Sequence, residues 1–131
     1  MEELVYESPV VKAIHQPEED LVTLHWKSQA NTHEYRQMFQ SLVEFANKKK
    51  IRRIISDMRQ EGLVSFDDAK WLDEEILNQA KKLGVERIAL VVDDSIFSHV
   101  YAENILRKMK ESAVRVQLFD DMSSAKGWIS S

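Results

Sequence analysis

The pattern of apolar and polar positions divides the chain into short β-like runs and longer helical stretches. Two β-like runs come first, residues 10–15 (VVKAIH) and 21–26 (LVTLHW). The five residues between them contain Pro17 and three acids, a composition typical of a hairpin loop. Residues 87–92 (RIALVV) form an almost continuous apolar run, which is typical of a strand buried on both faces. The pattern therefore predicts an antiparallel hairpin and, later, a central strand.

Helical periodicity appears in four places. Asn31 and Glu34 have the spacing of a capping box, and an apolar stripe at three- and four-residue spacing follows them. A second helix is predicted to start at Ser65 and to stop at Gly84, a third to span residues 95–111, and a short fourth to start at Ser123. The buried stripe of the second helix is predicted to comprise Ala69, Leu72, Ile76, Ala80 and Leu83.

Two further strands complete the order of elements. Residues 51–57 (IRRIISD) and 114–119 (VRVQLF) are β-like, and the last alternates strictly between apolar and polar side chains. The order β-β-α-β-α-β-α-β-α predicts an α/β sandwich with about five mainly parallel strands and one antiparallel hairpin strand. The whole chain, residues 1–131, is expected to form one domain.

Composition narrows the classes of function. The chain has 44% hydrophobic and 31% charged residues and a net charge of −4, so no overall basic field favours binding to nucleic acid. It has no cysteine, which excludes disulfides, thiolate nucleophiles and iron–sulfur clusters. With no basic, apolar leader and no stretch of roughly 20 apolar residues, it is expected to be cytoplasmic without a membrane span.

Sequence motifs for cofactors and catalysis are lacking. The three glycines, Gly62, Gly84 and Gly127, form no glycine-rich phosphate loop, and no His-Glu-x-x-His pattern occurs. We therefore expect no cofactor and no enzymatic activity.

Carboxylates at strand ends leave one metal alternative open. Asp57, Asp93 and Asp94 follow successive predicted strands, and the carboxyl ends of parallel strands are the usual ligand crevice. Aspartate and serine before a helix are also its commonest caps. Capping is the favoured interpretation, and a metal-dependent phosphoryl-transfer enzyme is the weakest of the alternatives.

A more informative feature is the presence of apolar side chains away from the predicted stripes. On the second helix, Trp71 lies about 160° from the stripe at ~100° per residue. These residues could form an exposed partner or ligand surface, or they could tuck beneath a neighbouring loop or helix. The full set is Leu63, Val64, Phe66, Trp71, Ile96, Phe97 and Val100.

The order of elements resembles that of the STAS domain, the fold of sporulation anti-sigma-factor antagonists, and most nearly its SpoIIAA-like branch. The matching features are the opening hairpin, the strand at 51–57 leading into the Ser65 helix, and the strand at 87–92. The closing VQLFDDMSSAKGWI also fits, with Ala125 and Trp128-Ile129 in place of a family-like Ala-x-x-Trp-Leu. The resemblance implies a regulatory domain with a protein partner, or one that self-associates.

The resemblance also locates the family's phosphorylated serine at the start of the second helix. Here that stretch contains Ser65, Asp67 and Asp68, with no Asp-Ser-Ser-Gly-type signature. Ser65 is expected to be a helix cap, and the two aspartates would repel an added phosphate. The favoured hypothesis is a non-enzymatic regulatory or protein-interaction domain without the phosphoserine switch. The main alternative is a small-molecule or lipid carrier in which Trp71, Phe97 and Tyr101 line an apolar pocket.

Overall fold

A computed structural model describes all 131 residues and contains one six-stranded sheet. The strands lie in the sheet in the order in which they occur in the chain. The first three pair antiparallel and the remaining pairs are parallel. The strands are β1 (Glu3–Glu7), β2 (Val11–Gln16), β3 (Leu21–Trp26), β4 (Arg53–Asp57), β5 (Arg87–Val91) and β6 (Arg115–Phe119). The predicted α/β class, hairpin and mainly parallel sheet are confirmed.

The sheet has one strand more than the five predicted, because β1 forms an additional antiparallel edge. Pro9 lies between β1 and β2 rather than within either. The register between β1 and β2 shifts between Leu4 and Tyr6, so the edge strand carries a bulge. Proline is compatible with a connection of this kind because it interrupts no ladder hydrogen bond.

Three of the four helices begin where their capping residues predict. In α1 (Thr32–Lys48), Asn31 Oδ1 accepts from the N–H of Glu34 at 2.8 Å, and Glu34 Oε1 accepts from the N–H of Asn31 at 3.0 Å. Ser65 caps α2 (Phe66–Trp71) and Ser95 caps α3 (Ile96–Lys110). The last helix, α4 (Met122–Ile129), is capped by Asp121 and so begins slightly before the predicted Ser123.

The second helix is less regular than its periodicity predicts. After Trp71 it continues as a π-helical turn (Leu72–Ile76) and a 3-10 turn (Leu77–Gln79) before Gly84, at φ +98°, ends the segment. A π turn adds a residue to the helical repeat, so the next buried position after Leu72 is Leu77 rather than the predicted Ile76. The predicted stripe is buried at Leu72 and Ala80, and it was wrong at Ala69, Ile76 and Leu83, which are only half-buried.

The two faces of the sheet are covered unequally. Helices α1 and α3, with the segment from α2 to Gln79 between them, pack on one face around a core of 23 buried residues. The opposite face carries α4 and a smaller group of six buried residues. Because strands β3 to β6 are parallel, α2 and α3 both start from the carboxyl edge of the sheet, where the candidate site lies. No helix has both the length and the apolar character needed to cross a membrane.

Candidate functional site

Five large apolar side chains are exposed at the starts of α2 and α3. Four belong to the two helices, and the fifth lies in the loop before α2. Their exposed fractions are 53% for Leu63, 73% for Phe66, 71% for Ile96, 63% for Phe97 and 52% for Val100. Of the two alternatives left open for these five side chains, the structure shows the exposed one, and their use by a partner stays a prediction.

These side chains line one depression, which we call the α2–α3 groove. The groove encloses about 840 Å³, and polar side chains contribute only a small part of its wall. Val64, half-buried against the core, belongs to the same wall. The full lining is Gly62, Leu63, Val64, Phe66, Ala69, Lys70, Asp73, Ile96, Phe97, Val100, Tyr101, Asn104 and Ile105.

Trp71 lies outside the groove, and its assignment to the exposed surface was wrong. Its ring packs edge-on to Tyr35 at 6.3 Å between ring centroids and lies 6.4 Å from Phe39. The guanidinium of Arg36 covers it, 5.2 Å from the ring centroid. Helix α1 therefore occupies the side of α2 that the stripe had left unpartnered. The predicted pocket of Trp71, Phe97 and Tyr101 loses its first member, while the other two line the groove.

The loop that leads into α2 has a defined conformation. Gly62 adopts a φ of +74°, a region that side chains with a Cβ rarely enter. The next N–H, of Leu63, donates to Gln29 Oε1 at 3.3 Å. These features turn the chain so that Leu63 projects into the groove, opposite the start of α3.

The polar residues at the start of α2 have structural partners. Ser65 Oγ accepts from the N–H of Asp68 at 3.1 Å, which confirms its capping role. Asp68 is buried, and its carboxylate accepts from Thr32 Oγ1 at 3.0 Å and from Arg36 Nε at 3.1 Å. Asp67 is exposed in the first turn, where negative charge suits the helix dipole. The position of the family's switch thus serves here to anchor α2 to α1.

The strand-end carboxylates do not gather into a cluster of three metal ligands. Asp57 is held by Arg59, whose Nε and Nη2 donate to its two oxygens at 2.9 and 2.8 Å. Burial acts to raise the pKa of Asp57, but these bonds and the charge of Arg59 outweigh it and lower the pKa below its usual value. Asp93 Oδ1 accepts from the N–H of Ser95 at 2.9 Å, and Asp94 is exposed. No three carboxylates or histidines converge anywhere in the chain. The expectation that Asp57, Asp93 and Asp94 could gather at one metal site was therefore wrong.

A small cavity lies behind the groove, inside the main core. It measures about 80 Å³, and 19 of its 21 lining residues are hydrophobic. The two exceptions are Ser56, which accepts from the indole N–H of Trp26 at 3.2 Å, and Glu61. Tyr101 and Ile105 line both spaces, so the cavity and the groove share one wall.

Glu61 is the unexpected member of this cavity. Its side chain is buried, with 3% of the residue exposed, and Oε2 has no hydrogen-bond partner. Burial raises the pKa of Glu61 to about 8, so the carboxyl is largely protonated at neutral pH. No sequence pattern points to Glu61, because an acid in a polar loop (RQEG) is ordinarily exposed.

Two tyrosines lie near Glu61, and one of them, Tyr101, lines the cavity. The hydroxyl groups of Tyr35 and Tyr101 are hydrogen-bonded to each other. Burial, with the negative charge that Glu61 would carry when ionised, raises the pKa of both phenols well above their usual value. Both hydroxyls therefore stay protonated, and the cavity offers no fixed charge at neutral pH.

The comparison with protein families agrees with this architecture. A family model described as SpoIIAA-like matches residues 21–130, from β3 through α4. The chain belongs to the SpoIIAA-like family. This membership confirms the predicted relationship to STAS domains and indicates a regulatory domain of the STAS type. The antiparallel β1–β2 pair lies before the matched region. No curated protein matches the chain.

Proposed function

We propose that this SpoIIAA-like protein is a non-enzymatic regulatory domain of the cytoplasm that binds a protein partner in the α2–α3 groove. The observation that carries the proposal is the convergence of five exposed apolar side chains from two helices and a loop on one depression. Apolar surface gathered in this way is typical of interaction sites, whereas single exposed apolar residues are not.

The groove is suited to an amphipathic helix of the partner. It is concave, and its two walls are the first turns of α2 and α3, which side-chain caps fix in place. A helix that lays an apolar face into a groove between two helices is a recurring mode of recognition. In a symmetric dimer of this chain, the α2–α3 groove of one copy would face the same groove of the other copy. Two concave surfaces would not fill each other. We therefore favour a different protein over a homodimer.

The same geometry supports a role without chemistry and without phosphorylation. The polar groups at the start of α2 are used in capping and in anchoring α1, and Asp57 is paired with Arg59. Phosphate on Ser65 would disrupt its cap and add charge next to Asp67 and Asp68. In this proposal the groove, rather than a phosphoserine, determines partner binding.

Matched substitutions of two exposed apolar residues test the proposal. The tagged chain is purified from its native host as wild type, Phe97→Asp and Leu4→Asp, and co-purifying proteins are quantified by mass spectrometry. Leu4 is 55% exposed on the edge strand β1, so its variant controls for the loss of any exposed apolar side chain. We expect one partner to be lost from Phe97→Asp and retained by Leu4→Asp, with thermal unfolding unchanged in both.

Light scattering of the same samples separates the remaining outcomes. A wild-type dimer that Phe97→Asp converts to a monomer would show that the occupant is a second copy and would overturn the choice of partner. A folded Phe97→Asp variant with an unchanged set of co-purifying proteins and an unchanged mass would overturn the use of the groove altogether.

A further inference from the structure

We propose that the cavity beside Glu61 binds one end of a neutral, largely apolar small molecule through a hydroxyl or carbonyl oxygen. The proposal goes beyond protein docking, because the cavity lies inside the core and behind the groove. It rests on three features of the structure: an apolar space within the core, one unpartnered buried carboxyl group, and a wall shared with the open groove.

The size of the cavity sets the size of the buried end. Its volume of about 80 Å³ is roughly half of the ~150 Å³ apolar cavity that accommodates benzene in another protein. It therefore takes a short aliphatic segment and not a whole lipid chain. Tyr101 and Ile105 line both the cavity and the groove, so the remainder of a longer molecule would have to cross this shared wall to reach the groove.

The unpartnered carboxyl of Glu61 sets the polarity of the ligand. A buried polar atom without a hydrogen bond is costly, so occupation of Oε2 by a ligand atom would be favourable. A protonated carboxyl offers one O–H donor and one carbonyl acceptor. A ligand hydroxyl can satisfy both, and a ligand carbonyl can satisfy the donor.

The rest of the lining excludes charged ligands. No lysine, arginine or histidine lines the cavity, so an anion such as a fatty-acid carboxylate would be buried without a counter-charge. A cationic amine would have to ionise Glu61 against its burial and beside two phenols that also stay neutral. A neutral oxygen is the chemistry that the cavity accepts without new charge.

Three probe molecules of equal chain length test this assignment. 1-Hexanol, hexanoate and hexylammonium are titrated separately into isotope-labelled protein, and amide chemical shifts report the position of binding. We expect 1-hexanol to change the chemical shifts of the Glu61 and Tyr101 amides. Hexanoate and hexylammonium should leave these chemical shifts unchanged. Saturable shifts with either charged probe at these residues, or none with 1-hexanol up to its solubility, would overturn the proposal.

Variants of Glu61 test the role of its carboxyl group. Glu61→Gln keeps the shape and the acceptor oxygen and replaces the O–H donor with an amide NH2 group, so 1-hexanol affinity should change by less than about threefold. Glu61→Leu removes both and should weaken binding about tenfold, the usual consequence of losing one hydrogen bond. Equal affinity of wild type and Glu61→Leu would show that 1-hexanol binds through apolar contacts alone. That result would overturn the proposed hydrogen bond to the Glu61 carboxyl group.

A filled cavity provides a second, independent variant. Ala80 is buried at the cavity wall, and Ala80→Val adds two methyl groups there. The folded variant should lose 1-hexanol binding while retaining the partner that Phe97→Asp loses. Loss of 1-hexanol binding from Phe97→Asp but not from Ala80→Val would place the ligand in the groove and overturn the cavity site. Failure of the protein-docking proposal would leave this result unaffected.

Discussion

The first turns of helices α1 and α3 are similar in sequence but differ in burial. Each has a polar N-cap and carries large apolar side chains in its first two turns. In α1 these are Tyr35, Met38 and Phe39, and all three are buried. In α3, Ile96, Phe97 and Val100 are exposed, and only Tyr101 in the second turn is half-buried. Local sequence therefore determines that each helix starts where it does, and its neighbours determine whether its first turns are covered.

The neighbours differ because α1 has aromatic rings around its start. Trp26 of β3 stacks on Tyr35 at 5.8 Å between ring centroids, and Trp71 of α2 approaches from the other side. The start of α3 faces the loop before α2 across the open groove, and no ring fills the space between them. We therefore expect stability to depend on the start of α1 and partner binding to depend on the start of α3.

The largest effect should come from truncating matched phenylalanines in the two regions. Phe39→Ala creates a cavity among buried rings and should lower the free energy of unfolding by about 3–5 kcal/mol. Phe97→Ala removes an exposed ring and should change it by less than about 0.5 kcal/mol. Urea denaturation of the two variants measures both values. Similar losses in both would mean that the start of α3 is part of the core.

The pH dependence of stability should report the ionisation of Glu61, which lies near Tyr35 of α1 and Tyr101 of α3. Its pKa is raised from 4.5 to about 8 by folding, so the native state binds more protons than the unfolded state between these values. Stability contributed by the neutral carboxyl is therefore present at low pH and lost as pH rises towards 8, by at most about 1.4 kcal/mol per pH unit.

The control for this pH dependence is Glu61→Gln, which cannot ionise. Urea midpoints of the two proteins measured from pH 5 to about 8.5 should diverge, wild type falling relative to the variant. Parallel curves would mean that water or another group reaches Glu61 and that its carboxyl is ordinary.

The smallest effect should come from the cap of α2. Ser65→Ala removes the hydrogen bond to the Asp68 N–H and should cost about 1 kcal/mol, measured by urea denaturation. Ser65→Asp, which restores a capping carboxylate, should recover most of that loss. Intact-mass measurement of the chain from its native host should show no phosphate on Ser65, and a phosphorylated fraction would restore the family's switch to this protein.

The sequence predicts those features that depend on neighbours close along the chain. The caps at Asn31 and Ser65 follow from spacings of three residues, and the order of strands and helices follows from their periods. The position of Trp71 could not be predicted, because its side of α2 is covered by α1, which is distant in sequence. The burial of Glu61 depends in the same way on packing among distant elements.

The most direct test of the central claim is site-specific photo-crosslinking in the native host. A photoreactive amino acid replaces Phe97 in the groove or, as a control, Leu4 on β1, both of which are exposed. The account predicts that position 97 forms a covalent adduct with one other protein and that position 4 does not. Equal adducts from both positions, an adduct only between two copies of this chain, or no adduct at position 97 would contradict it.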